Sequence, residues 1–487
     1  MSGRSRPKST EETPGKTRGA TGPGSTRRKP SGKGEEKRDG SSKAAAPPMD
    51  RDKDRDRAGG RGGRTATVPR GAPSPTPAKT PLNSKPPAAA APRTAARGAE
   101  DKTTPRNPPS STTSIDYNPD RVLRDTLEKL KIKKTERNEA TRCVNEIQKE
   151  IAKHLKESLD WCKEIQELKT GSHVENVKIC ESDEFDVMLV ISVDRVDIQP
   201  FRGDGAFYSV ALKRNSCKSL DKFLNEDKII EASEMLTEFR KKVKECVTKL
   251  TSKYDIIVEG KKAGCPAVTL QVKGKDGRII SLDFVLGLEV HSSSWPVFTK
   301  DGFKIDNWLG KKVKTDLKRK PFYLVPKYEG KGTTECDGVK AKDAWRISFS
   351  HVEKEVLKNH GQSKTCCEGR PSCCRKQCLK LLKYLVRGLK EHHPKEAGKL
   401  CSYHAKTTLL HACAERVEDS KWEISQLSHC FQQVLSDFEN YLRKQDLPNF
   451  FIPSHNLLKS AGLDKKTCNF LADEIEFQRN NCFPVFR

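Results

Sequence analysis

The chain has 487 residues, and its 92 Lys and Arg against 66 Asp and Glu give a formal charge of +26. This excess of positive charge favours a polyanion or a membrane surface as the binding partner. The sequence has no apolar run near the roughly 18 residues of a membrane span, and no secretory signal peptide opens it. We therefore expect an intracellular protein whose 17 cysteines are reduced thiols or metal ligands rather than a disulfide framework.

Residues 1–114 are rich in Pro, Gly, Ser, Ala, Arg and Lys and contain no Phe, Trp or Tyr. Such a segment cannot bury enough apolar surface to offset the entropy lost on ordering. We predict a disordered basic tail. It would add non-specific attraction to phosphates, or it would act only as a solubilising segment.

Two helical patterns follow the tail and open a predicted segment at 115–294. Leu123, Leu127 and Leu130 fall on one helix face, and a second helical stretch is predicted from Thr135 to Leu168. The polar face of the second stretch is basic, which is typical of a solvated surface and is also compatible with polyanion binding.

Acidic residues then interrupt two apolar stretches. On a predicted strand, Glu184 and Asp186 point the same way, because side chains alternate between the two faces. Asp283 lies in a second predicted strand, at 278–290, and would complete a three-carboxylate site if the strands pair. Hard oxygen ligands suit Mg²⁺, and two metals about 3.5–4 Å apart would serve an in-line phosphoryl transfer.

A Gly-Ser pair, Gly171 and Ser172, precedes the acidic strand. Glycine lets the backbone approach a phosphate closely, and a serine hydroxyl with neighbouring N–H groups can hold it. Each motif alone is also consistent with a turn or a solvated strand face. The order of the three motifs favours a nucleotidyltransferase.

Further strands at 207–212 and 267–272, with a helix at 229–250, predict a mixed sheet flanked by helices. From residue 295 to residue 487 the pattern is mostly helical, which indicates an α-helical lobe.

Within that lobe the sequence predicts a helix at Ile305–Leu317 and a rigid apolar linker at Pro321–Lys327. A further helix is predicted from Ala344 to Lys358.

Five cysteines and one histidine lie between His360 and Cys378. Thiolate and imidazole ligands select Zn²⁺ in tetrahedral geometry, and enough of them are present to leave no open coordination position. The alternative is a chance cluster of core cysteines. Basic residues surround the cluster, so a metal-held loop here would contact phosphates without reading base sequence.

The motifs together resemble the cyclic GMP-AMP synthase family of mammals, within the nucleotidyltransferase superfamily, from Leu123 to Arg487. The stretches that carry the resemblance are Glu184-Phe-Asp-Val-Met, Asp283, KPFYLVPK at 320–327, AWRISFS at 344–350, and the His360 to Cys373 run. The resemblance implies an α/β (α+β) nucleotidyltransferase core with a mixed β-sheet. It also implies an α-helical C-terminal lobe carrying a zinc-binding insertion at 360–378.

The resemblance further implies a DNA-activated enzyme of innate immunity that makes 2′3′-cGAMP from ATP and GTP for the receptor STING. Expected partners are double-stranded DNA, nucleosomes and a second copy of the chain in a 2:2 complex with DNA. Expected locations are the cytosol and the nucleus, with plasma-membrane association through the basic tail. Competing functions are an RNA-activated oligonucleotide synthetase and a non-catalytic chromatin-binding protein of the same fold.

Site residues are implied in the same way. Glu184, Asp186 and Asp283 would be catalytic and would hold two Mg²⁺ or Mn²⁺ ions. One structural Zn²⁺ would be held by His360, Cys366, Cys367 and Cys373. Nucleotides would be bound by Thr170, Gly171, Ser172, Lys327, Arg346, Ser348, Ser350, Glu353, Lys383, Ser402, Tyr403 and Lys406. DNA would be bound by Lys354, Lys364, Lys376 and Lys380, and nucleosomes by Arg195 and Arg214.

Two departures from the family pattern stand out. His173 and Val174 replace the two aromatic residues that usually follow the Gly-Ser pair, so the packing of this loop is expected to differ. The spacing from Cys367 to Cys373 is one residue shorter than in the family, which makes Cys374 a competing zinc ligand.

Overall fold

The computed structural model describes residues 118–180, 183–213, 218–274, 277–328, 331–368 and 372–487. The predicted tail at 1–114 and Arg214 lie outside these residues. The helices are α1 (Pro119–Lys129), α2 (Lys134–Ser158), α3 (Gly171–Val174), α4 (Ala232–Leu250), α5 (Lys311–Lys318), α6 (Ser350–Lys358), α7 (Arg375–His392), α8 (Pro394–Ala397), α9 (Ser402–Glu415), α10 (Leu427–Lys444), α11 (Leu457–Ser460) and α12 (Lys465–Asn480). The strands are β1 (Gln166–Thr170), β2 (Glu184–Val193), β3 (Val196–Phe201), β4 (Phe207–Leu212), β5 (Ile256–Val258), β6 (Ala267–Lys273), β7 (Ile279–Val290), β8 (Phe322–Val325), β9 (Glu335–Cys336), β10 (Val339–Lys340) and β11 (Trp345–Ser348).

A nine-stranded mixed sheet organises the catalytic part of the chain, in the order β1-β2-β7-β8-β11-β4-β3, with β6 beside β7 and β5 beside β6. Strands β2 and β7 pair in parallel from Glu184 opposite Ser281 to Val193 opposite Val290. The other pairs in this sheet are antiparallel. The prediction of a mixed sheet is confirmed.

Side chains of β2 alternate between two environments. Phe185, Val187, Leu189 and Ile191 belong to the main hydrophobic core, together with buried residues of α2 and α4. Asp186 and the other even-numbered residues of β2 face the other side of the sheet. The alternation therefore leaves the acidic residues of β2 on the face opposite the core.

The C-terminal part of the chain is helical, and helices α7, α9, α10 and α12 pack together. One continuous core runs from Leu123 of α1 through the sheet to Phe486 near the C-terminus, so the sheet and the helical part share it. Within the described residues, no helix combines the length and the apolar character that crossing a membrane requires.

Two predicted segments in the C-terminal half are strands of the central sheet instead. The predicted linker at Pro321–Lys327 contains β8, and the predicted helix from Ala344 begins only at Ser350, because β11 comes first. Trp345 of β11 is fully buried, and its indole N–H donates to the carbonyl oxygen of Ile230 at 3.3 Å. Pairing with distant strands overrides the local pattern here. The sheet thus extends beyond the predicted boundary at 294.

Two predicted helices also have different bounds. The helix predicted at Thr135–Leu168 ends at Ser158, and the chain then forms β1 along the edge of β2. The helix predicted at Ile305–Leu317 begins only at Lys311, after Gly310 with φ of 96°. Such a backbone angle is accessible to glycine and interrupts a helix.

A buried arginine ties the start of α7 to the loop that follows α9. The side chain of Arg375 is 1% exposed and donates to Asp419 Oδ1 at 2.8 Å. Asp419 also accepts hydrogen bonds from the backbone N–H groups of Gln362 and Ser363. Burial alone would raise the pKa of Asp419, but these N–H donors and Arg375 hold it below its ordinary value. Asp419 therefore anchors the loop that begins at His360.

We predict that Asp419→Ala lowers the free energy of unfolding by about 3 kcal/mol, because the substitution leaves the buried guanidinium without its counter-ion. Asp419 is itself 27% exposed, so the lower end of the range for buried pairs applies. Urea denaturation at pH 7.5 measures the change. Asp160→Ala is the control, since it removes a pair with Lys163 that is exposed on both sides. Equal midpoints for the two variants would contradict the anchoring role.

Candidate active site and metal-binding cluster

The parallel pairing of β2 with β7 brings the predicted carboxylates together. Asp186 lies directly opposite Asp283, and Glu184 lies opposite Ser281 on the same face. Thr269 of β6 is the partner of Asp283 on its other side and donates its hydroxyl to Asp283 Oδ1 at 2.6 Å. Two adjacent strands therefore supply the carboxylates, and a third strand orients one of them.

The pKa values of Asp186 and Asp283 are both raised. Burial, followed by the charges of Glu184 and Asp283, raises the pKa of Asp186 to about 6. Burial is also the main cause of the raised pKa of Asp283, which the hydrogen bond from Thr269 partly offsets. Such a cluster of hard oxygen donors with unfavourable mutual charge fits a divalent cation such as Mg²⁺.

The Gly-Ser pair lies against this cluster. Gly171 has φ of 80°, and a Cβ at this position would lie 1.9 Å from Asp186 Oδ2. Only glycine satisfies both the backbone angle and the close approach. Thr170, the last residue of β1, lies opposite Asp186, and Ser172 follows in α3. The pair is thus placed at the carboxylates, as the sequence predicted.

The segment after the Gly-Ser pair is held from several sides. The ring of His173 packs on Phe185 with ring centroids 4.2 Å apart, and burial lowers the pKa of His173 to about 4. Arg137 of α2 donates to the carbonyl oxygen of His173 and, at 2.7 Å, to Asn176 Oδ1. A buried histidine thus packs on the core directly after the Gly-Ser pair.

The other predicted nucleotide-binding residues come from several elements around the carboxylates. Arg346 and Ser348 lie on β11, Ser350 and Glu353 on α6, Lys383 on α7, and Ser402, Tyr403 and Lys406 on α9, while Lys327 lies two residues beyond β8.

Within this group Lys406 forms the central ion pairs. Its ammonium lies 3.0 Å from Glu353 Oε2 and 2.8 Å from Glu175 Oε1. Burial alone would lower the pKa of Lys406, but the two glutamates raise it above its ordinary value. Burial and the nearby carboxylate of Glu353 raise the pKa of Tyr403, and Arg346 lies close enough to counteract this in part. The structure therefore brings β11, α6 and α9 to one place.

Lys383 reaches the same group of residues from α7. Its ammonium donates to the carbonyl oxygen of Val177 at 3.0 Å. Burial, with the charges of Lys178 and Lys406, lowers the pKa of Lys383 to about 8, so the side chain is still mostly cationic at neutral pH. Three lysines thus lie near the acidic cluster.

The predicted zinc ligands converge. His360 Nε2 lies 3.0 Å from Cys373 Sγ and 3.3 Å from Cys367 Sγ. The sulfur of Cys367 lies 3.7 Å from each of the sulfurs of Cys366 and Cys373. A tetrahedron with metal–sulfur distances of about 2.3 Å has edges of roughly 3.8 Å, so the four donors fit zinc.

The imidazole of His360 is oriented by its second nitrogen. Nδ1–H donates to the carbonyl oxygen of Leu357 at 2.8 Å, which leaves the lone pair of Nε2 directed at the thiols. Cys374 does not join the group: its sulfur is buried and lies 4.0 Å from that of Cys378 in α7. The geometry therefore favours Cys373 over Cys374 as a ligand.

A basic surface adjoins this cluster. We use "basic surface" for Lys131, Arg137, Lys376 and Lys380. Burial lowers the pKa of Lys380, and the charges of the other three lower it further. Lys376 lies within electrostatic reach of the Cys366, Cys367 and Cys373 thiols.

The remaining predicted DNA and nucleosome contacts lie on three different elements of the structure. Lys364 is exposed on the cysteine loop, and Lys354 of α6 donates to the carbonyl oxygen of Lys169 at 3.3 Å. Arg195 is exposed in the turn between β2 and β3, with φ of 56°. Its role, like that of Arg214 outside the described residues, stays a prediction.

The sequence reasoning missed three charged residues of the site: Arg137, Glu175 and Lys178. Lys178 lies 2.7 Å from Glu184 Oε2 and 3.0 Å from Asp183 Oδ1. Glu175 and Lys178 lie in a loop between the Gly-Ser pair and the acidic strand, and that position was their only signal. Arg137 is one of several basic residues of α2, and nothing in its local sequence sets it apart.

The chain matches two family models. Residues 173–359 match the Mab-21 protein nucleotidyltransferase domain, and residues 374–477 match the Mab-21 protein HhH/H2TH-like domain. With the carboxylate cluster on paired strands, these matches define a nucleotidyltransferase with a mixed sheet and a helical C-terminal region.

Individual relatives narrow the class. The chain is 43% identical over 371 residues to a cyclic GMP-AMP synthase of Sus scrofa, covering 75% of this chain and 72% of that protein. It is 41% identical over 392 residues to a cyclic GMP-AMP synthase of Mus musculus, covering 80% of this chain and 74% of that protein. A cyclic GMP-AMP synthase-like receptor of Aethina tumida is 25% identical over 340 residues, covering 64% of this chain and 76% of the relative. The chain belongs to the cyclic GMP-AMP synthase family.

We predict that Gly171→Ala lowers nucleotidyl transfer by about 100-fold or more, because the new methyl group displaces Asp186 from its position. Pyrophosphate release measures the loss. Gly203→Ala is the matched control, since Gly203 has a similar φ of 76° but no atom within 4 Å of an added Cβ. Gly203→Ala should lose only the stability that its backbone angle costs, and only Gly171→Ala should lose activity. Equal activity in both would contradict the close approach.

The raised pKa of Asp186 gives a pH-dependent prediction. Its pKa of about 6 lies above the unfolded value, so ionising it costs stability that grows as pH rises from about 4 to 6. With zinc-loaded protein and without added Mg²⁺ or Mn²⁺, Asp186→Asn should therefore raise the melting temperature by a few degrees at pH 7.5. The gain should vanish near pH 4. Differential scanning fluorimetry across this range checks it, and a gain independent of pH would contradict the carboxylate repulsion.

Proposed function

We propose that this nucleotidyltransferase makes the cyclic dinucleotide 2′3′-cGAMP from ATP and GTP, and that double-stranded DNA activates it. The observation that carries the proposal is the parallel register that sets Asp186 beside Asp283, with Gly171 against them. The names of the pig and mouse relatives support the choice of ATP and GTP. The basic surface beside the cysteine cluster supports a polyanionic activator.

In each of the two rounds, a ribose hydroxyl attacks the α-phosphorus of a triphosphate. A new oxygen–phosphorus bond forms, the bond to the leaving oxygen breaks, and pyrophosphate departs. We assign the proton of the attacking hydroxyl to Asp283, because its raised pKa makes it a better base than an ordinary aspartate. Thr269 holds one oxygen of Asp283 and so orients the carboxylate.

The lysines would bind the triphosphate and the pyrophosphate. Lys383 and Lys406 both lie near the carboxylates, and Lys406 is held in place by Glu353 and Glu175. Ser172 adds a hydroxyl and backbone N–H groups at the first turn of α3. Such positioning contributes most of the catalysis in phosphoryl transfer.

Metal ions fit two places. Glu184, Asp186 and Asp283 would hold Mg²⁺ or Mn²⁺, which when bound would neutralise the phosphates and polarise the reacting bond. His360, Cys366, Cys367 and Cys373 would hold one structural Zn²⁺, which would keep the exposed cysteine loop rigid beside the basic surface.

Double-stranded DNA would lie across the basic surface and the cysteine loop. Lys376, Lys380 and Arg137 would contact phosphates, Lys364 would extend the contact from the loop, and Lys354 would contact DNA or a second protomer. Arg137 also bonds the segment after the Gly-Ser pair, so DNA at this surface would act on the active site through a single residue. A 2:2 assembly with DNA belongs to the same proposal.

The proposals on nucleosomes, on the receptor and on location are supported only by the resemblance to the family. We propose docking on nucleosomes through Arg195 and Arg214, a product that acts on the receptor STING, and location in the cytosol and nucleus. Association of the basic tail with the plasma membrane also belongs here.

One assay tests the function. Purified zinc-loaded protein is incubated with ATP, GTP and Mg²⁺, alone, with duplex DNA or with duplex RNA, and the products are identified by mass spectrometry. We expect a cyclic GMP-AMP product with DNA and little product otherwise. Linear oligoadenylates with RNA would favour the alternative synthetase. No product in any arm, with intact DNA binding, would favour a non-catalytic protein.

We predict that Lys376→Glu weakens binding to all duplex sequences alike and flattens the dependence of log affinity on log salt by about one unit or more. Fluorescence anisotropy with two unrelated duplexes, at several salt concentrations, measures both. Lys466→Glu, at an exposed position in the first turn of α12, is the control of equal charge change. An effect confined to one duplex sequence would contradict a phosphate contact.

A further inference from the structure

Lys178 forms an ion pair with one of the three catalytic carboxylates. Its ammonium lies 2.7 Å from Glu184 Oε2 and 3.0 Å from Asp183 Oδ1. The Lys178 side chain is 11% exposed, whereas that of Glu184 is 55% exposed. A positive charge of the chain itself therefore occupies an oxygen that a metal ion would also use.

The position of Lys178 is set by the residues just before it. Val177 is fully buried, its N–H donates to the carbonyl oxygen of Ser172 at 3.0 Å, and its own carbonyl accepts from Lys383. Glu175 is buried and paired with Lys406. The backbone that carries Lys178 is thus fixed between the Gly-Ser pair and two lysines of the helical part.

The segment from Glu175 to Lys178 therefore forms two ion pairs, one through an acidic and one through a basic side chain. Its acid, Glu175, binds a lysine of the nucleotide-binding group, and its base, Lys178, binds an acid of the metal-binding group. An ammonium carries one charge and donates hydrogen bonds, while a divalent cation needs direct oxygen ligands. Both cannot use the same oxygen of Glu184 at full strength.

We propose that Lys178 is a positioning residue that neutralises Glu184 in the DNA-free protein and has to leave Glu184 before the metal site is complete. The inference rests on the proposed function for its role in catalysis. The competition between Lys178 and a metal ion requires only the geometry of the site.

Arg137 supplies a route from DNA to Lys178. It donates to the carbonyl oxygen of His173 and to Asn176 Oδ1, two residues before Lys178. It also lies within electrostatic reach of Lys380 on the basic surface. A phosphate that draws the guanidinium of Arg137 away would remove its hydrogen bonds to His173 and Asn176 and so loosen one of the restraints on the segment that carries Lys178. DNA would thereby raise metal affinity, and metal would raise DNA affinity by the same factor.

The test measures Mn²⁺ binding to zinc-loaded protein by electron paramagnetic resonance of the free ion, without nucleotides, with and without duplex DNA. Wild-type protein should bind Mn²⁺ more tightly when DNA is present. Lys178→Met should bind Mn²⁺ roughly tenfold more tightly than wild type without DNA, and DNA should add little. Lys178→Arg should restore the wild-type pattern. Mn²⁺ affinity in Lys178→Met equal to or weaker than in wild type would overturn the proposal.

Lys262→Met separates competition from a general charge effect. Lys262 lies within electrostatic reach of Asp283 but pairs with Glu259 and does not contact the segment that carries Lys178. Its removal should change Mn²⁺ affinity less than removal of Lys178 and should leave the effect of DNA intact. An equal change in both variants would overturn the proposal.

A measurement on wild-type protein guards against a variant that does not fold. Acetic anhydride labelling, read by mass spectrometry, should modify Lys178 severalfold faster when Mn²⁺ is bound, with exposed Lys163 as the internal reference. Unchanged labelling of Lys178 would overturn the proposal. If these results hold but no cyclic product forms, only the proposed function fails, since metal competition at Glu184 would stand.

Discussion

The parallel pairing of β2 with β7 is the constraint on which the active site depends. It sets Asp186 beside Asp283, although the two residues are 97 positions apart in the sequence. Both strands are buried on their core side, so a shift of register by one residue would place their apolar side chains on the wrong face. The hydrophobic core therefore determines the geometry of the carboxylates.

The site brings together like charges that the fold then has to balance. Burial and mutual repulsion raise the pKa of Asp186 and Asp283, and internal lysines lie around them. Lys406 is shared between two glutamates, and Lys178 is bound to Glu184. The carboxylates are thus partly neutralised by lysines of the chain itself, which a bound metal ion would have to replace.

Helix α7 connects the cysteine cluster and the basic surface to the carboxylates. Asp419 fixes the start of the cysteine loop through two backbone N–H groups, and Arg375 fixes Asp419. Lys376 follows Arg375 in α7, so the same helix end carries both the support of the loop and a cation of the basic surface. Lys383 lies two turns further along α7 and faces the carboxylates.

The sequence by itself determined the parts whose signal is local: the alternation that pairs Glu184 with Asp186, the glycine at 171, the cysteine–histidine spacing and the mixed α/β class. It also matched the family, and with it the four residues that the structure brings together in the cysteine–histidine cluster. It did not determine β8 or β11, because their strand character comes from pairing with distant strands. Only the tertiary structure showed that Lys178 forms an ion pair with Glu184 and that the sulfur of Cys374 lies outside the cluster. Contacts between side chains remote in sequence leave no periodic pattern to read.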